Sequence, residues 1–430
     1  VIFKGEDNLH YEKYGEPLPD GWAVTNFGTL LSYEQPTKYI VNNTNYKPTY
    51  ETPVLTAGKS FILGYTDETD NIFDDLPVII FDDFTTESKY VDFAFKVKSS
   101  AMKILHINQE LVLPKYAFFL MQATEIDHDN HQRYWISTYS QEIISLPPLY
   151  EQIKIIEAID YLFKLVQSVD NNIQNLKSAI KSVKSKILDL AIRGKLVPQD
   201  PNDEPASVLL ERIQAEKEEL IKQGKIKRDK KESVIFKGDD NSYYQNLPSN
   251  WIKIRLSTIS EIITKGTTPR GGKVAYSQSG IGFLRAENIA GYDKLDLSNL
   301  NYIDEESHNN YLKRSILKEN DILITIAGTL GRTAIVPQQA LPLNTNQAVA
   351  IVRLVNNKLI NVKYLVYALN SPIIKSDLLA KSVDMAIPNL SLENIADCNI
   401  SLPPLTEQKR IVDEIEKIFA ILDDIANQVA

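Results

Sequence analysis

The segment ISLPPLYEQ occupies residues 144–152, and it recurs as ISLPPLTEQ at residues 400–408. A second pair of matching segments lies upstream in the same order, with VIFKGEDN at residues 1–8 and VIFKGDDN at residues 234–241. The pairs are offset by 256 and 233 residues, so the enclosed stretch is 23 residues longer in the second copy. Chance explains two such matches poorly, and the sequence therefore predicts an internal duplication.

A long helix follows the first ISLPPL segment. Its apolar residues are separated alternately by four and three positions, a heptad stripe that buries one face against a partner helix. The stripe comprises Ile155, Ile159, Leu162, Val166, Val169, Ile173, Leu176, Ile180, Val183, Ile187 and Leu190. A helix from Leu149 to Arg193 spans roughly 65 Å at ~1.5 Å per residue, and Gly194 is a suitable residue to end it.

The second ISLPPL segment is followed by the same pattern, with Ile411, Ile415, Ile418, Leu422, Ile425 and Val429, and this copy is cut short at Ala430. A lone long helix with an apolar stripe is not stable in water. The two helices therefore pair antiparallel with each other, or they pair with another protein. The residues expected to pack on a partner helix are Ile155, Ile159, Leu162, Val166, Ile173, Ile180, Ile411, Ile415, Ile418 and Leu422.

The stretches between the repeated segments favour mixed α/β structure with short strands. Residues 77–81 and 90–95 are rich in β-branched and aromatic side chains, as are residues 321–326 and 347–353. The predicted fold is α+β: two mixed α/β domains at residues 1–143 and 234–398, separated by long antiparallel coiled-coil helices in a pseudo-two-fold repeat. The helical spacers occupy residues 144–233 and 399–430. Trp22 and Trp251 each follow a proline turn, and each is expected to anchor the start of its domain in the core.

Composition limits the function classes. The single cysteine, Cys398, excludes a disulfide framework and a cysteine-rich zinc site, and it favours a reducing, cytoplasmic setting. No apolar run is long enough to span a membrane. The net charge is −9, with 11 Lys/Arg against 21 Asp/Glu in residues 1–143 and 17 against 15 in residues 234–398. If the first domain binds DNA, it must do so through a local patch.

Several loops combine glycine with side chains that suit DNA, because Lys and Arg meet phosphates while Arg, Asn and Gln pair with base edges. The candidates in the first domain are Lys38, Tyr39, Lys59, Ser60, Lys98 and Lys103. Those in the second domain are Lys265, Thr267, Thr268, Arg270, Lys273, Arg285, Asn288, Thr329, Arg332 and Asn346. The basic run at residues 225–231 is interpreted either as a solvated linker or as a phosphate contact.

Two other classes of function compete with DNA recognition. Asp82 and Asp83, followed by Glu87, could hold a divalent ion for phosphodiester cleavage, although acids of an acidic surface loop are the simpler interpretation. A protein without DNA binding could use the heptad helices as a scaffold. We expect no catalytic residue and no metal ligand in this chain.

The LPPL segments at residues 146–149 and 402–405, each followed by Glu-Gln, resemble the conserved regions of a known family. So do AIRGKLVPQ at residues 191–199 and the stretch from Glu211 to Lys225. The family is that of the specificity subunits of type I restriction–modification enzymes, and the resemblance covers the whole chain in domain order.

This resemblance implies that each α/β domain reads one half of a bipartite site in double-stranded DNA. It also implies that methyltransferase subunits, two of them, dock on the conserved helices and methylate adenine with S-adenosylmethionine. Restriction subunits then cleave DNA using ATP and Mg²⁺, whereas this chain binds no cofactor. An alternative within the family is the specificity subunit of a methyltransferase that lacks a restriction partner.

Overall fold

The computed structural model describes residues 18–58, 60–126, 133–228, 247–269, 271, 276–380 and 389–429. The chain divides into two units, which we describe separately: unit 1 is Val1–Asn171 and unit 2 is Asn172–Ala430. The division falls within a single helix of 44 residues, Leu149–Ile192. The long helix predicted from the heptad stripe is therefore present.

Unit 1 contains nine short strands and the first part of the long helix among its described residues. In chain order the elements are β1 (Ala23–Asn26), α1 (Phe27–Leu30), β2 (Leu31–Glu34), β3 (Thr52–Leu55), β4 (Ile62–Thr66), β5 (Val78–Asp82), β6 (Ser88–Val91), β7 (Lys96–Val97), β8 (Met102–Ile107), α2 (Pro114–Ala123), α3 (Tyr134–Ser137), β9 (Ile143–Leu146) and α4 (Leu149–Ile192).

Unit 2 contains the remaining elements. They are α5 (Ala206–Lys222), β10 (Ile252–Arg255), α6 (Leu256–Ile259), β11 (Ser260–Lys265), β12 (Ile281–Leu284), β13 (Ile289–Gly291), β14 (Lys294–Leu295), β15 (Asn301–Ile303), α7 (Glu305–Asn309), β16 (Ile322–Thr325), β17 (Thr333–Ile335), β18 (Leu343–Thr345), β19 (Val349–Leu354), α8 (Val362–Asn370), α9 (Pro372–Ala380), α10 (Leu392–Ala396), β20 (Asn399–Leu402) and α11 (Leu405–Gln428). In the described part of the chain, no helix has both the length and the apolar content that crossing a bilayer requires.

The two units repeat one strand topology. The four-stranded sheet has the order β2-β8-β5-β6 in unit 1 and β11-β19-β16-β17 in unit 2, with antiparallel pairing throughout. The three-stranded sheet has the order β4-β3-β7 in one and β15-β12-β18 in the other, and its second pair is parallel in both. The duplication therefore extends through the domain interiors, where no sequence repeat is evident.

The central strands are where the sequence predicts them, because their apolar runs are buried on both faces. Val78 to Phe81 of β5 are buried, and so is the whole of β16. In unit 1, α2 covers one face of the sheet through Tyr116 and Met121. In unit 2, α8 packs in the equivalent core with seven of its nine residues buried. The predicted α/β character of both domains is confirmed.

Each domain is closed by a pairing of its first and last strands. β1 pairs with β9 so that Ala23 faces Leu146, and β10 pairs with β20 so that Ile252 faces Leu402. The last strand of each pair is the ISL part of the repeated segment, and the two prolines after it end the strand. The helix then begins at the following leucine.

The Glu-Gln pair after the prolines joins each helix to its domain. Gln152 is fully buried, accepts a hydrogen bond from the Leu113 amide at 2.8 Å and donates to the Pro147 carbonyl. Gln408 repeats this arrangement with the Asn361 amide at 2.9 Å and the Pro403 carbonyl. The glutamate of each copy accepts the indole N–H of the tryptophan, so both tryptophans join the domain start to the helix. Trp251 is also buried in the core of unit 2, as predicted, whereas Trp22 is only half-buried.

The C-terminal part of α4 runs antiparallel to α11 within unit 2. Lys184 pairs with Asp423, and further along the chain Gln199 donates to Glu407 at 2.5 Å. Ile411 and Ile415 of α11 are buried in one core with Ile192 of α4 and with the α/β domain of unit 2, and Ile180 is buried as well. The predicted antiparallel arrangement of the helices that follow the two repeated segments is confirmed.

The heptad pattern does not describe this packing completely. The buried stripe of α11 passes through Phe419 rather than Ile418, because α11 also packs on the α/β domain of unit 2, where Phe419 contacts the rings of Tyr292 and Tyr367. Leu422 is half-buried. On α4, Ile155, Ile159 and Ile173 are half-buried, while Leu162 and Val166 are 57% and 56% exposed. Their packing on a partner remains a prediction.

Candidate nucleic-acid interface

Four loops of unit 2 meet at one end of its sheets, which we call the unit 2 edge: residues 266–269, 285–288, 326–332 and 346–348. They follow the C-terminal ends of β11, β12, β16 and β18. Backbone hydrogen bonds hold them together: the Thr267 amide donates to the Thr345 carbonyl, the Asn346 amide to Leu284, and the Ile326 amide to Ala348. The sheets thus bring together loops that lie far apart in sequence.

The glycine at position 266 permits this close approach. A Cβ atom added there would lie 2.1 Å from the backbone oxygen of Asn346, well inside van der Waals contact. Only glycine allows the loop after β11 to pass so near the loop after β18. A local sequence feature therefore fixes the shape of the unit 2 edge.

Most of the predicted residues of the second domain lie at the unit 2 edge or at the strand end beside it. They are Lys265, Thr267, Thr268, Arg285, Thr329, Arg332 and Asn346, and all are exposed or half-buried. Arg270 and Lys273 lie outside the described residues. Arg314 was not predicted, yet its guanidinium group donates to the Thr267 hydroxyl at 3.2 Å. It lies in a 3₁₀ turn, where neither composition nor spacing marks it.

Arg285 retains donor capacity at this edge. One guanidinium nitrogen pairs with Glu287, and the side chain is about a third exposed. Its Nε–H is buried and has no acceptor among the described residues. Because a guanidinium group can donate five hydrogen bonds, a ligand at the edge could satisfy part of this unused capacity.

Asn288 was predicted to contact DNA, and the structure shows this to be wrong. Its side chain is buried, with its oxygen accepting the Arg285 amide and its nitrogen donating to the Asp296 and Asn299 carbonyls. These bonds shape the turn that carries Arg285. Asn288 therefore positions the loop and has no free polar group to offer a base edge.

Three loops of unit 1 meet at the corresponding end of its sheets, which we call the unit 1 edge: residues 35–41, the described residues 56–58 and 60–61, and residues 98–101. The Lys98 amide donates to the Leu55 carbonyl and the Val41 amide to Val97. The predicted residues Lys38, Ser60 and Lys98 are exposed in these loops, and Tyr39 is half-buried. Lys59 lies outside the described residues.

Acidic side chains surround Tyr39. Its hydroxyl donates to Glu34, and burial raises its pKa, an effect that the hydrogen bond to Glu34 and the charges of Glu34, Asp74 and Asp75 increase. The excess negative charge predicted from composition therefore reaches the unit 1 edge itself. DNA would meet a weaker positive field here than at the unit 2 edge.

Lys103 was predicted as a DNA contact, and the structure shows this to be wrong. Its side chain is only 2% exposed, and its ammonium group lies 3.2 Å from Asp83 and 4.6 Å from the ring centroid of Tyr33. Asp83 also accepts the Trp135 amide at 2.9 Å. The pair is a buried ionic contact of the core, so neither side chain can reach DNA.

The same contacts argue against the nuclease interpretation. Asp82 accepts the amides of Phe84 and Thr85, which caps the turn after β5, and Asp83 is neutralised by Lys103. Among the described residues, no group of three or more acidic, histidine or cysteine side chains could hold a metal ion. These aspartates have structural roles.

The described part of the basic run faces acidic groups. Arg228 donates two hydrogen bonds to Glu218, which lower the pKa of that carboxyl. Lys225 and Lys227 line a cavity of about 790 Å³ whose wall also contains Glu261 and Glu393. Residues 229–231 lie outside the described part. The described cations thus have local acidic neighbours, which weakens the phosphate-contact interpretation of this run.

Comparison with known proteins identifies the class of this duplicated α/β protein. Residues 248–430 match the family model of the type I restriction modification DNA specificity domain. The chain is 31% identical over 428 residues to the EcoR124I/EcoR124II specificity subunit of Escherichia coli, covering 96% of this chain and 91% of that protein. It is also 31% identical over 264 residues to the EcoEI specificity subunit, across 59% of this chain and 42% of the relative.

A solved structure supports the fold. One chain, from a study of assembly and conformational transition of the type I R-M system, aligns over 96% of this chain and 94% of its own length. The TM-score is 0.53 at 15% sequence identity. The HsdS subunit of Thermoanaerobacter tengcongensis aligns over 96% of this chain with a TM-score of 0.45 at 16% identity.

The fold and its relatives thus define a DNA-specificity protein, the recognising rather than the catalytic component of its system. The chain belongs to the family of type I restriction–modification specificity subunits.

Proposed function

We propose that this chain reads a bipartite sequence in double-stranded DNA, one half with each recognition domain. The observation that carries the proposal is the repeated topology, which gathers loops with exposed cations and amides at the same end of each unit. Phosphate contacts supply affinity and register, while base contacts supply sequence preference. Because each domain carries a different set of loop residues, the two halves of the site differ.

The two edges divide these tasks differently. At the unit 2 edge, Arg285 and Asn346 can pair with base edges, while Lys265 and Arg314 suit phosphates. The unit 1 edge has Lys38 and Lys98 beside an acidic cluster. We therefore expect unit 2 to contribute the larger share of the salt-dependent affinity.

We further propose that methyltransferase subunits, two per chain, dock on the conserved helices. Support comes from the exposed apolar face of α4, where Leu162, Val166 and Val169 are each about half-exposed. In this proposal S-adenosylmethionine, ATP and Mg²⁺ are bound by the partner subunits. The target adenine must be flipped out of the stack, and that chemistry also takes place on the partners.

The test is to map the methylated adenines, with their surrounding sequence, in DNA from cells that produce this chain together with the methyltransferase encoded beside it. We expect a split motif with a fixed gap, as two domains on one duplex require. Replacing residues 234–398 with the equivalent domain of a relative should change one half of the motif and leave the other half and the gap unchanged. Methylation that ignores the swap would refute the assignment of one half to each domain. A restriction test on unmodified phage then distinguishes a full restriction system from a methyltransferase alone.

A further inference from the structure

A group of cations lies beside the unit 2 edge, and one of them, Lys375, belongs to a helix in which the sequence predicted no DNA contact. Lys375 is in α9, and its side chain lies against the turn after β16: a Cβ atom added at Gly331 would lie 3.5 Å from Lys375 Cε. The next residue, Arg332, is half-buried at the same turn. Lys181 of α4 is close enough for its charge to act on Lys375.

Two like charges act on Lys375. Burial lowers the pKa of Lys375, and the neighbouring charges of Arg332 and Lys181 lower it further. In the part of the chain that the structure describes, none of the three forms an ion pair with a carboxylate. Arg332 and Lys375 are half-buried, and like charges that lack a counterion in such a setting oppose folding, whereas Lys181 is exposed. Their presence together indicates that a negatively charged ligand completes the group.

The turn beside these cations has a fixed shape and free amides. The buried Thr325 hydroxyl donates to the Thr329 carbonyl and accepts the Arg332 amide, while Gly328 and Gly331 adopt positive φ values of 76° and 71°. Within the described chain, the amides of residues 328–330 donate no hydrogen bond. Consecutive free amides next to cations are a suitable binding surface for a phosphate oxygen.

We propose that Lys375 and Arg332, together with the turn at residues 327–331, bind a backbone phosphate of the DNA, and that Lys181 strengthens this binding through its charge. This inference rests on the proposed function, since it names which phosphate-binding groups lie next to the base-reading loops. Its new element is Lys375 of α9, which lies against the turn after β16 although it belongs to none of the predicted loops. The charge of Lys181, on the exposed surface of α4, adds to the positive potential there. Phosphates carry no sequence information, so this contact adds affinity and register without adding sequence preference.

The experiment uses the full chain purified with its methyltransferase partner. DNA affinity is measured by fluorescence anisotropy at several salt concentrations for the wild type, Lys181→Ala and Lys375→Met. We expect each variant to bind several-fold more weakly and the salt slope to fall by up to about 0.9, the value for one phosphate. The motif methylated in cells should remain the same. Lys358→Ala is the matched control, because Lys358 is an exposed lysine beyond the opposite end of β19.

A stability measurement separates this role from a structural one. Removing Lys375 relieves burial and like-charge repulsion, so Lys375→Met should melt at the same temperature as the wild type or higher while binding DNA more weakly. Lys181→Ala changes an exposed helix position and should leave the melting temperature unaltered. A structural lysine would give the reverse result for Lys375→Met, with lower stability.

The outcomes are distinct. If the wild type binds its motif and both variants keep its affinity and salt slope, the phosphate site is wrong and the proposed function stands. If the wild-type complex shows no DNA preference, the proposed function fails as well. If the variants lose the methyltransferase subunit but retain the salt slope, the cations serve an acidic protein surface instead, and the inference is overturned.

Discussion

Trp251 donates its indole N–H to the carboxylate of Glu407 at 2.9 Å, and the two residues are 156 positions apart in the chain. Trp22 and Glu151 form the same bond at the same distance in the first copy. The tryptophan begins the recognition domain, and the glutamate belongs to the first turn of the helix that follows it. One hydrogen bond therefore fixes the start of each domain to the helix at its end.

Glu407 should make the stability of unit 2 depend on pH. Its burial raises the pKa of the carboxyl, although hydrogen bonds from Trp251 and Gln199 act in the opposite direction. A raised carboxyl pKa contributes stability below the unfolded value, and this contribution is lost as pH rises through the folded value. Glu407→Gln has no carboxyl group to titrate. We therefore expect the free energy of unfolding of the wild type to fall relative to that of the variant as the pH rises from 4.5 to 7.5. Urea denaturation across that pH range measures the difference.

The hydrogen bond itself can be separated from this charge effect. Trp251→Phe leaves a buried carboxylate without its indole donor and should destabilise unit 2 by roughly 1–3 kcal/mol. Trp22→Phe is the natural comparison, because Glu151 is only half-buried and water can replace the donor. Equal losses of stability in Trp251→Phe and Trp22→Phe would show that the deeper burial of Glu407 relative to Glu151 does not matter.

The ion pair between Lys103 and Asp83 should stabilise unit 1 and have no part in cleavage. Removing one partner of a buried pair costs about 3–5 kcal/mol because the other charge is left uncompensated. We therefore expect Asp83→Ala to lower the denaturation midpoint strongly, whereas Asp92→Ala, at an exposed carboxylate, should not. Metal-dependent DNA cleavage by the chain alone, abolished by Asp83→Ala without loss of stability, would revive the nuclease interpretation.

Lys265 and Arg314 should contribute affinity for DNA rather than sequence preference. Both are exposed cations at the unit 2 edge, one in the strand that leads into its first loop and one bonded to Thr267. Each alanine variant should weaken binding for all sequences and reduce the salt slope by about 0.9. Anisotropy titrations with specific and scrambled duplexes measure both quantities. A selective loss for the specific duplex would instead assign that side chain to a base contact.

The exposed face of α4 should bind the partner subunit. Leu162→Asp with Val166→Asp places two charges in the apolar face, and we expect the double variant to lose the methyltransferase on co-purification. Because both side chains are exposed in this chain, its own melting temperature should not change. Gln167→Asp introduces a charge at a neighbouring exposed polar position and should retain the complex. An intact complex in the double variant would place the docking surface elsewhere.

The sequence predicts those parts of the structure that are encoded locally. The heptad stripe after Pro148 sets the long helix, and the apolar runs at β5 and β16 are long enough to identify buried strands. Lys103 was misassigned because its burial depends on Asp83, 20 residues away in the chain. Phe419 was missed because a strict heptad assumes one partner helix, whereas α11 packs on α4 and on the recognition domain together. Arg314 and Lys375 lack any local pattern, and only the fold brings them to the loops.

The strand pairing that closes each domain has an evolutionary consequence. Ala23 faces Leu146 as Ile252 faces Leu402, so the first and last strands of each domain are neighbours and pair in the same way in both domains. Recombination at the repeated segments would place a different α/β domain between the same flanking segments. The glutamate and glutamine of the following helix would still be present to bond the tryptophan and a backbone amide of the new domain. New specificities can therefore arise by recombination of whole modules, without the gradual loss of folding that point mutations in a shared core would cause.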